Sequence, residues 1–204
     1  MKKITALAAI ALFAGAAAAQ THTEIGDAPQ LLFGQDTGVG SLNFIAGALG
    51  SSADVDLYAI TITDFTTFSA TVNTTAGFDS QLFLFNAAGL GIVYNDDFGS
   101  GVTSSIIPSG FITANGQYFL AITSYNIDPT SSAGNIFPNT FTGQNGATGP
   151  GAAAALSGWT GGGFVSGNGA YEIRLTGAAG AIIPTPGAAA LLGLGGLAAF
   201  RRRR

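Results

Sequence analysis

The side chains that could do chemistry in this chain are almost all carboxylates. The sequence has one His and no Cys, so it cannot supply a thiolate zinc site, a cysteine nucleophile or a His-rich metal site. Eleven residues are Asp or Glu. Five of the aspartates stand in turns or beside predicted strands, where their carboxylates could meet. They are Asp54, Asp56, Asp79, Asp96 and Asp97.

The spacing of these aspartates suits a calcium site. Asp54 and Asp56 are two residues apart at the start of a predicted strand, where alternate side chains face the same side. Asp96 and Asp97 are adjacent in an Asn-Asp-Asp turn, and Asp79 comes just before another predicted strand. Ca²⁺ takes six to eight oxygen ligands from carboxylates, carbonyls and water. The sequence therefore predicts that these residues, with the Asn of the turn, bind Ca²⁺ if the loops meet.

The same acids have a simpler explanation, which the sequence leaves open. Asp and Asn often close turns through their side chains, and charged residues protect exposed strand edges. The sequence has no EF-hand spacing and no calcium-binding nonapeptide repeat. Two alternatives follow, a calcium site or solvated carboxylates, and no other cofactor is expected.

Motifs typical of enzymes are missing from the sequence, so we expect a protein without catalytic activity. The segment 163–167 has the wrong spacing for a Gly-x-Ser-x-Gly nucleophile motif, and P-loop and dinucleotide fingerprints do not occur. His22 lies just after a predicted cleavage point, where we expect a loose chain end and a poor general base. A carboxylate pair for glycoside hydrolysis stays open, which leaves a secreted hydrolase as the least favoured alternative.

The charged residues are distributed unevenly along the chain. Of the seven basic residues, Arg174 is the only one that does not lie at an end of the chain. All eleven acidic residues lie between the two basic ends. A strongly acidic middle repels phosphate, so we expect no nucleic acid as a partner.

The N-terminus has the three parts of a secretory signal peptide. Lys2 and Lys3 provide positive charge, residues 4–16 are apolar, and the alanines at 17–19 offer a small-residue cleavage point. The apolar segment is shorter than the roughly 20 residues that a membrane-spanning helix needs. We therefore predict a helical signal peptide over residues 1–19 and export of the remainder. A buried N-terminal helix is the alternative.

The C-terminus contains a second ordered set of features. Its members are Pro184, Thr185, Pro186 and Gly187, the apolar segment 187–200, and the arginines Arg201, Arg202, Arg203 and Arg204. This order resembles the PEP-CTERM sorting signal of bacteria that make an extracellular polymeric matrix, with Thr185 where that family usually has Glu. The resemblance implies a short apolar helix within residues 184–204. This helix would hold the protein transiently in the inner membrane until an exosortase-type enzyme processes it. An ordinary tail anchor is the alternative.

The middle of the chain, residues 20–183, has the period of two that is typical of β-strands. Alternation of apolar and polar residues is found in the segments 57–62, 68–73, 118–123 and 171–175. The segment 81–85 is apolar on both faces, as expected for a central strand of a sandwich. We predict an all-β fold, a jelly-roll-like antiparallel β-sandwich, in which 171–175 is the final strand.

The stretch from Ser131 to Gly169 differs from the remainder of this domain. It is rich in Gly, Ala, Asn and Thr and has few large residues. It predicts a long loop or insertion, with weak strands near Phe137 and Phe141. Trp159 is expected to pack against the core, because large aromatic side chains bury much apolar area. An exposed contact is the alternative.

Four motifs follow one another in the middle of the chain. They are Asp54-Val55-Asp56-Leu57-Tyr58, Phe78-Asp79-Ser80-Gln81-Leu82-Phe83-Leu84-Phe85, Asn95-Asp96-Asp97 and Gly116-Gln117-Tyr118. In this order, from about Ala53 to Tyr125, they resemble the bacterial pre-peptidase C-terminal (PPC) domain family. The resemblance implies a β-sandwich that is usually a non-catalytic accessory module. Some relatives in that family bind calcium or polymers such as collagen.

These features predict an exported, non-enzymatic protein of the cell surface or extracellular matrix, with one PPC-like β-sandwich sorted by its C-terminal signal. The alternative function is a module that binds polysaccharide or protein with the help of Ca²⁺. The expected partners are an exosortase-type processing enzyme, the membrane during export, and an extracellular polysaccharide.

Overall fold

A computed structural model describes residues 20–74, 77–99, 103–140, 142–161 and 167–183 of the chain. The predicted signal peptide (1–19) and the predicted sorting signal (184–204), with the helices expected in both, lie outside the described residues. Among the residues that the structure does describe, no helix is long and apolar enough to cross a membrane.

The described residues form β-strands and one short 3-10 helix, Ser109–Phe111. The strands are β1 (Thr21–Thr23), β2 (Gln35–Asp36), β3 (Phe44–Leu49), β4 (Val55–Ile62), β5 (Ser69–Thr74), β6 (Ser80–Asn86), β7 (Gly91–Asn95), β8 (Ile106–Pro108), β9 (Gly116–Ser124), β10 (Ile127–Ser131), β11 (Gly134–Asn135), β12 (Gln144–Gly146), β13 (Gly158–Gly161), β14 (Gly169–Thr176) and β15 (Ala178–Gly180). The predicted all-β class is confirmed.

Two main sheets form a sandwich. One has the strand order β1-β3-β14-β5-β8, and the other has the order β12-β7-β6-β9-β4-β15, with β2 beside β4. Neighbouring strands are antiparallel except for the parallel pairs β1–β3 and β2–β4. The predicted antiparallel β-sandwich is therefore confirmed.

The space between the two sheets is filled by the side chains that the period of two places on one face. This core contains Tyr58, Ile60 and Ile62 of β4, Ala70 and Val72 of β5, Leu120 and Ile122 of β9, and Ile173 and Leu175 of β14. Burial of each large apolar side chain stabilises the fold by about 1.5–3 kcal/mol relative to exposure. The apolar core is therefore the main source of stability in a domain without disulfides.

The strand over Tyr171 to Leu175 is not the final one. β14 lies between β3 and β5 inside its sheet, and β15 follows it and pairs with β4 of the other sheet. The sequence-based prediction is wrong on this point because β15, Ala178–Gly180, contains only Ala and Gly. Such a segment has no alternation of apolar and polar residues by which a strand could be recognised.

A third layer, formed by residues 127–137 and 147–161, covers the outer face of the second sheet. Phe83 and Phe85 of β6 point into this layer, whereas their neighbours Leu82 and Leu84 point into the core between the sheets. Trp159 packs edge-on against both rings, with centroid distances of 5.6 Å to Phe83 and 6.3 Å to Phe85. The expected packing role of Trp159 is confirmed, and the apolar character of both faces of β6 is explained.

The predicted Gly-rich insertion provides most of this third layer. β10, β11 and β13 form a small sheet within it. β11 ends just before Phe137, which is buried against Phe83 and Tyr94 with ring centroids 5.7 and 5.1 Å away. Phe141 lies outside the described residues.

Glycine at position 161, the last residue of β13, allows the backbone there to lie against the residue that precedes β10. Its φ is +115°, and a Cβ added there would overlap the carbonyl oxygen of Asn126. We expect Gly161→Ala to lower the free energy of unfolding by about 1–3 kcal/mol, since both backbone strain and overlap must be relieved. Urea unfolding of the variant measures this effect. Gly110→Ala is the control because its added Cβ meets nothing within 4 Å, and equal losses in both variants would contradict the explanation.

The first described residues connect the two sheets. β1 pairs with β3 in one sheet and β2 pairs with β4 in the other, so residues 24–34, here called the crossing segment, pass from one sheet to the other. His22 in β1 is only 8% exposed, hydrogen-bonds to the Gln35 side chain at 2.9 Å and packs edge-on against Tyr58. The expectation of a loose chain end at His22 is therefore wrong, because strand pairing and an aromatic contact hold it.

Candidate metal centre

Three of the five predicted aspartates meet in space. Asp79, Asp96 and Asp97 each place one carboxylate oxygen within 4.8 Å of the others, and we call them the Asp96 group. Asp79 precedes β6 and the other two follow β7. Because Leu82 and Asn95 are opposite each other in this antiparallel pair, the start of β6 and the end of β7 lie at the same end of the sheet.

A second group forms around Asp56, with partners that the sequence did not suggest. Glu24, Asp27 and Asp56 place one carboxylate oxygen each within 4.8 Å of one another, and we call them the Asp56 group. Asp56 lies on β4, whereas Glu24 and Asp27 belong to the crossing segment. The group therefore joins the first described residues to the sandwich.

Asp54 belongs to neither of these groups. Its Oδ2 accepts a hydrogen bond from the Gly50 N–H at 2.6 Å, and its Oδ1 accepts one from the Val55 N–H at 2.8 Å. Both oxygens therefore close the turn that leads into β4. Asp54 has the turn-forming role that the sequence left open as the alternative to metal binding.

Asp56 is completely buried, at 0% exposure. Its Oδ2 accepts a hydrogen bond of 2.6 Å from the Tyr171 hydroxyl, which is also 2.6 Å from the Tyr58 hydroxyl. A hydroxyl has one proton, so Tyr58 donates to Tyr171 while Tyr171 donates to Asp56. The other oxygen of Asp56, Oδ1, has no hydrogen-bond partner among the described residues.

Glu24 is held in position by backbone groups. Its Oε1 accepts a hydrogen bond from the Ala28 N–H at 3.0 Å, and its Oε2 accepts one from the Ala48 N–H at 2.9 Å. Gly47 makes this approach possible, since an added Cβ would lie 2.7 Å from Glu24 Oε2. Asp27, the third member, is exposed to solvent. The group thus has a fixed inner part and one solvent-facing carboxylate.

The electrostatic environment of Asp56 disfavours its ionised form. Burial raises the pKa of Asp56 to about 8, with smaller contributions in the same direction from the charges of Glu24, Asp54 and Asp27, while the Tyr171 hydrogen bond acts in the opposite direction. Arg174 is the only Lys or Arg between residues 20 and 183, and its side chain is exposed. Among the residues that the structure describes, no lysine or arginine side chain is therefore available to neutralise this buried carboxylate.

The electrostatic environment of the Asp96 group also disfavours ionised carboxylates. Asp96 is 2% exposed, and burial followed by the charges of Asp79 and Asp97 raises its pKa to about 8. Burial and then the charge of Asp97 raise the pKa of Asp79 to about 6, and burial raises the pKa of Asp97. The Oδ1 atom of each of the three is buried without a hydrogen-bond partner in the described structure.

Asn95 supports the Asp96 group through its side-chain hydrogen bonds. Its Nδ2 donates to the carbonyl oxygens of Asp97 and Gly143 at 2.9 and 2.8 Å, and its Oδ1 accepts from the Ile106 N–H at 2.7 Å. The side chain that the sequence offered as a calcium ligand therefore orders the turn.

Tyr171→Phe is expected to destabilise the protein by about 1–3 kcal/mol, because it leaves both oxygens of the buried Asp56 carboxyl without a donor. Urea unfolding in EDTA measures this difference in free energy. Tyr118→Phe is the control, since its hydroxyl donates to the Ala114 carbonyl oxygen and not to a carboxylate. A loss for Tyr171→Phe no larger than that for the control would contradict the assigned role.

The sequence could not indicate Glu24, Asp27 and Tyr171 as members or supporters of one site. Tyr171 and Asp56 are 115 residues apart in the sequence, and the crossing segment has no periodic pattern. The one available signal was the excess of acid over base in the middle of the chain, which applies to every carboxylate there equally.

Comparison of the chain with models of known protein families finds no match, and comparison with curated proteins finds none either.

Proposed function

We propose that the chain is an exported, non-enzymatic protein of the cell surface or extracellular matrix, and that its PPC-like β-sandwich binds Ca²⁺ at the Asp56 group. The observation that carries the calcium site is the unpartnered, buried Oδ1 of Asp56, a residue whose carboxylate lies within 4.8 Å of two further carboxylates. The order of features in residues 1–19 and 184–204 supports export and exosortase-type processing.

A cation explains how Asp56 can remain buried. An ionised carboxylate without a partner costs several kcal/mol when it is removed from water. Glu24 and Asp27 add like charges within 4.8 Å, which increases that cost. A divalent cation would provide the missing contact for Oδ1 and would turn the repulsion among the three carboxylates into shared attraction.

The ligand set favours Ca²⁺ over other metals. All three side chains offer carboxylate oxygens, which hard cations prefer, and the group contains no His or Cys that would attract zinc. Calcium–oxygen distances of about 2.3–2.6 Å place opposite ligands roughly 4.6–5.2 Å apart. Three oxygens within 4.8 Å of one another are therefore compatible with one calcium coordination sphere.

Bound Ca²⁺ would add a crosslink between the crossing segment and β4. Glu24 and Asp27 belong to the crossing segment, Asp56 belongs to β4, and the backbone N–H of Ala48 in β3 holds Glu24. The chain has no Cys with which to crosslink the same elements. The cation therefore takes the place that a disulfide has in many exported domains.

Mass spectrometry of the protein recovered from the cell surface tests the sorting part of the proposal. We expect an N-terminus near Gln20 and a C-terminus at or before the Pro184-Thr185-Pro186 motif. Recovery of surface protein that still carries Arg201 to Arg204 would contradict processing at this motif.

Thermal unfolding with and without Ca²⁺ tests the binding part. At a Ca²⁺ concentration of about 100 times Kd, native-state binding adds about 2.7 kcal/mol. For a domain of this size, that corresponds to a Tm increase of roughly 5–10 °C over EDTA. Asp27→Asn, at an exposed position inside the group, should reduce the increase, whereas Asp64→Asn, exposed beyond the far end of β4, should not. Equal Tm values for the wild type in EDTA and in Ca²⁺ would overturn the proposal.

A further inference from the structure

The Asp96 group lies at the same end of the second sheet as Asp56 but shares no residue with the Asp56 group. On β4, Asp56 is opposite Ile122 of β9, which is opposite Leu82 of β6, whereas Asp79 precedes β6. The two groups are therefore separated by β9 and by several residues along the strands. An ion at one group cannot also be bound by the other.

The buried member of this group provides an observation beyond acidity. Asp96 is 2% exposed, and its Oδ1 has no hydrogen-bond partner among the described residues. The Oδ1 atoms of Asp79 and Asp97 are buried and unpartnered as well. Natural proteins rarely leave buried polar atoms unsatisfied, so three such atoms in one trio indicate a missing partner.

Three polar side chains near this end of the sheet, those of Asn95, Ser80 and Ser105, form hydrogen bonds with other partners. Asn95 donates both of its amide protons to backbone carbonyls. The Ser80 hydroxyl hydrogen-bonds to the Ser105 hydroxyl at 3.0 Å, and the Ser105 hydroxyl also donates to the Ser80 carbonyl oxygen. The missing partner is therefore not one of these side chains.

Hydrogen bonds fix the main chain at two of the three aspartates. The Asp79 carbonyl oxygen accepts from the Tyr125 N–H at 2.9 Å, and the Asp97 carbonyl oxygen accepts from the Gly143 N–H at 3.2 Å. Asp97 also pairs with Thr142 in an isolated β-bridge. The backbone positions of Asp79 and Asp97 are therefore fixed, which reduces the rearrangement that ligand binding requires.

We infer that Asp79, Asp96 and Asp97 bind a second divalent cation, Ca²⁺, which joins the β6–β7 end of the sandwich to the segment that contains Thr142 and Gly143. This inference goes beyond the proposed function and does not depend on it, because it rests on other residues. The ligands are again carboxylate oxygens alone, which favours a hard cation.

Protonation is a weaker explanation for this trio than cation binding. A proton on one carboxyl provides one donor, so it satisfies one neighbouring acceptor and leaves the third carboxylate without a partner. A single cation contacts one oxygen of each of the three residues at once, since these oxygens lie within 4.8 Å of one another. It also compensates their mutual repulsion.

Titration calorimetry with CaCl₂ at pH 8, on the full chain in an Asp56→Asn background, isolates this second site. We expect the single variant to bind one Ca²⁺, and we expect addition of Asp96→Asn to weaken that binding at least 100-fold. Addition of Asp79→Asn, which changes a less buried ligand, should weaken Ca²⁺ binding to a similar extent. Addition of Asp64→Asn is the control for the loss of one negative charge and should leave binding unchanged.

The outcomes separate this inference from the proposed function. If the wild type binds one Ca²⁺ and Asp56→Asn binds none, or if Asp96→Asn changes nothing in the Asp56→Asn background, the second site is overturned. If Asp56→Asn binds as the wild type does and Asp96→Asn alone abolishes binding, the proposed function fails and the second site stands. A Tm in EDTA at or above that of the parent confirms that the Asp96→Asn chain is folded. If the Asp96→Asn chain is unfolded, the Ca²⁺ affinity of the Asp79→Asn variant, which changes a half-buried residue, tests the second site instead.

Discussion

An Asp56→Asn variant is expected to unfold at a higher temperature than the wild type in EDTA, and at a lower temperature than the wild type in saturating Ca²⁺. Most substitutions of a completely buried residue destabilise a protein under all conditions. A substitution that raises the Tm in EDTA and lowers it in Ca²⁺ is therefore a specific result, because ordinary damage to the fold lowers the Tm in both conditions.

The gain in EDTA comes from removing a buried charge. At pH 8 the Asp56 carboxyl, with its pKa raised to about 8 by burial, is partly ionised and its Oδ1 has no partner among the described residues. Asn keeps the shape of Asp and still accepts the Tyr171 hydrogen bond. Its neutral amide is also not repelled by the charges of Glu24 and Asp27, which act on the Asp56 carboxylate. After allowance for imperfect geometry, we expect a net gain of about 1–2 kcal/mol.

The loss in Ca²⁺ comes from removing a ligand. The wild type gains about 2.7 kcal/mol from Ca²⁺ at 100 times Kd, and a neutral amide at the centre of the group forfeits most of this gain. The variant should therefore show little change in Tm between EDTA and Ca²⁺, apart from any contribution of the Asp96 group. Differential scanning calorimetry of both proteins in both conditions measures the four Tm values.

Asp64→Asn is the matched control for this experiment. Asp64 is exposed, and it accepts hydrogen bonds from the Thr66 N–H and hydroxyl at 3.0 and 2.6 Å. The control should follow the wild type in both conditions. An Asp56→Asn protein that is less stable than the wild type in EDTA would contradict the assignment of Asp56 as an unneutralised buried carboxylate.

The stabilisation by Ca²⁺ is expected to increase steeply between pH 5 and pH 8. Because the pKa of Asp56 is raised from 3.8 to about 8, the cation-free native state binds more protons than the unfolded state within this window. Stability in EDTA should therefore fall as the pH rises through the window. Ca²⁺ binds the ionised carboxylate, so each unit of pH below 8 should weaken binding up to about tenfold.

The titratable groups around Asp56 do not change the direction of this pH dependence. Burial raises the pKa values of Tyr58 and Tyr171 far above their usual range, so both hydroxyls keep their protons between pH 5 and 8. Glu24, Asp54 and Asp27 add negative charge that raises the pKa of Asp56 further. None of these groups reverses the expected direction.

Titration calorimetry at pH 5, 6, 7 and 8 measures the pH dependence. An Asp96→Asn background is used, because the pKa of Asp96 is itself raised to about 8 by burial and by neighbouring carboxylates. Asp64→Asn in the same background controls for the change in net charge. A Kd for Ca²⁺ that is constant over this range would show that no buried carboxyl is deprotonated on binding.

The fold was predictable where the pattern of burial is local. Alternation within 57–62 and 171–175 correctly predicted which side chains of β4 and β14 enter the core. β1, β2 and β15 could not be predicted, because two or three residues of ordinary composition become strands only through their pairing partners. These three strands are therefore determined by tertiary contacts and not by their local sequence.

The same distinction separates the two carboxylate groups. Asp79, Asp96 and Asp97 flank two strands that are neighbours in sequence and pair directly, so a local hairpin supplies the meeting of loops on which the sequence-based hypothesis depended. Asp56 meets Glu24 and Asp27 only because the crossing segment returns to β4 through a parallel pairing. No short-range signal in the sequence contains that information.

Crystals of the protein grown in CaCl₂ and measured at a wavelength that gives anomalous scattering from calcium show directly whether Ca²⁺ binds at the Asp56 group. We expect an anomalous peak at about 2.3–2.6 Å from Asp56 Oδ1, within the same distance of a carboxylate oxygen of Glu24 and of Asp27. A well-ordered Asp56 whose Oδ1 contacts only water, or only protein atoms, at saturating Ca²⁺ would contradict it.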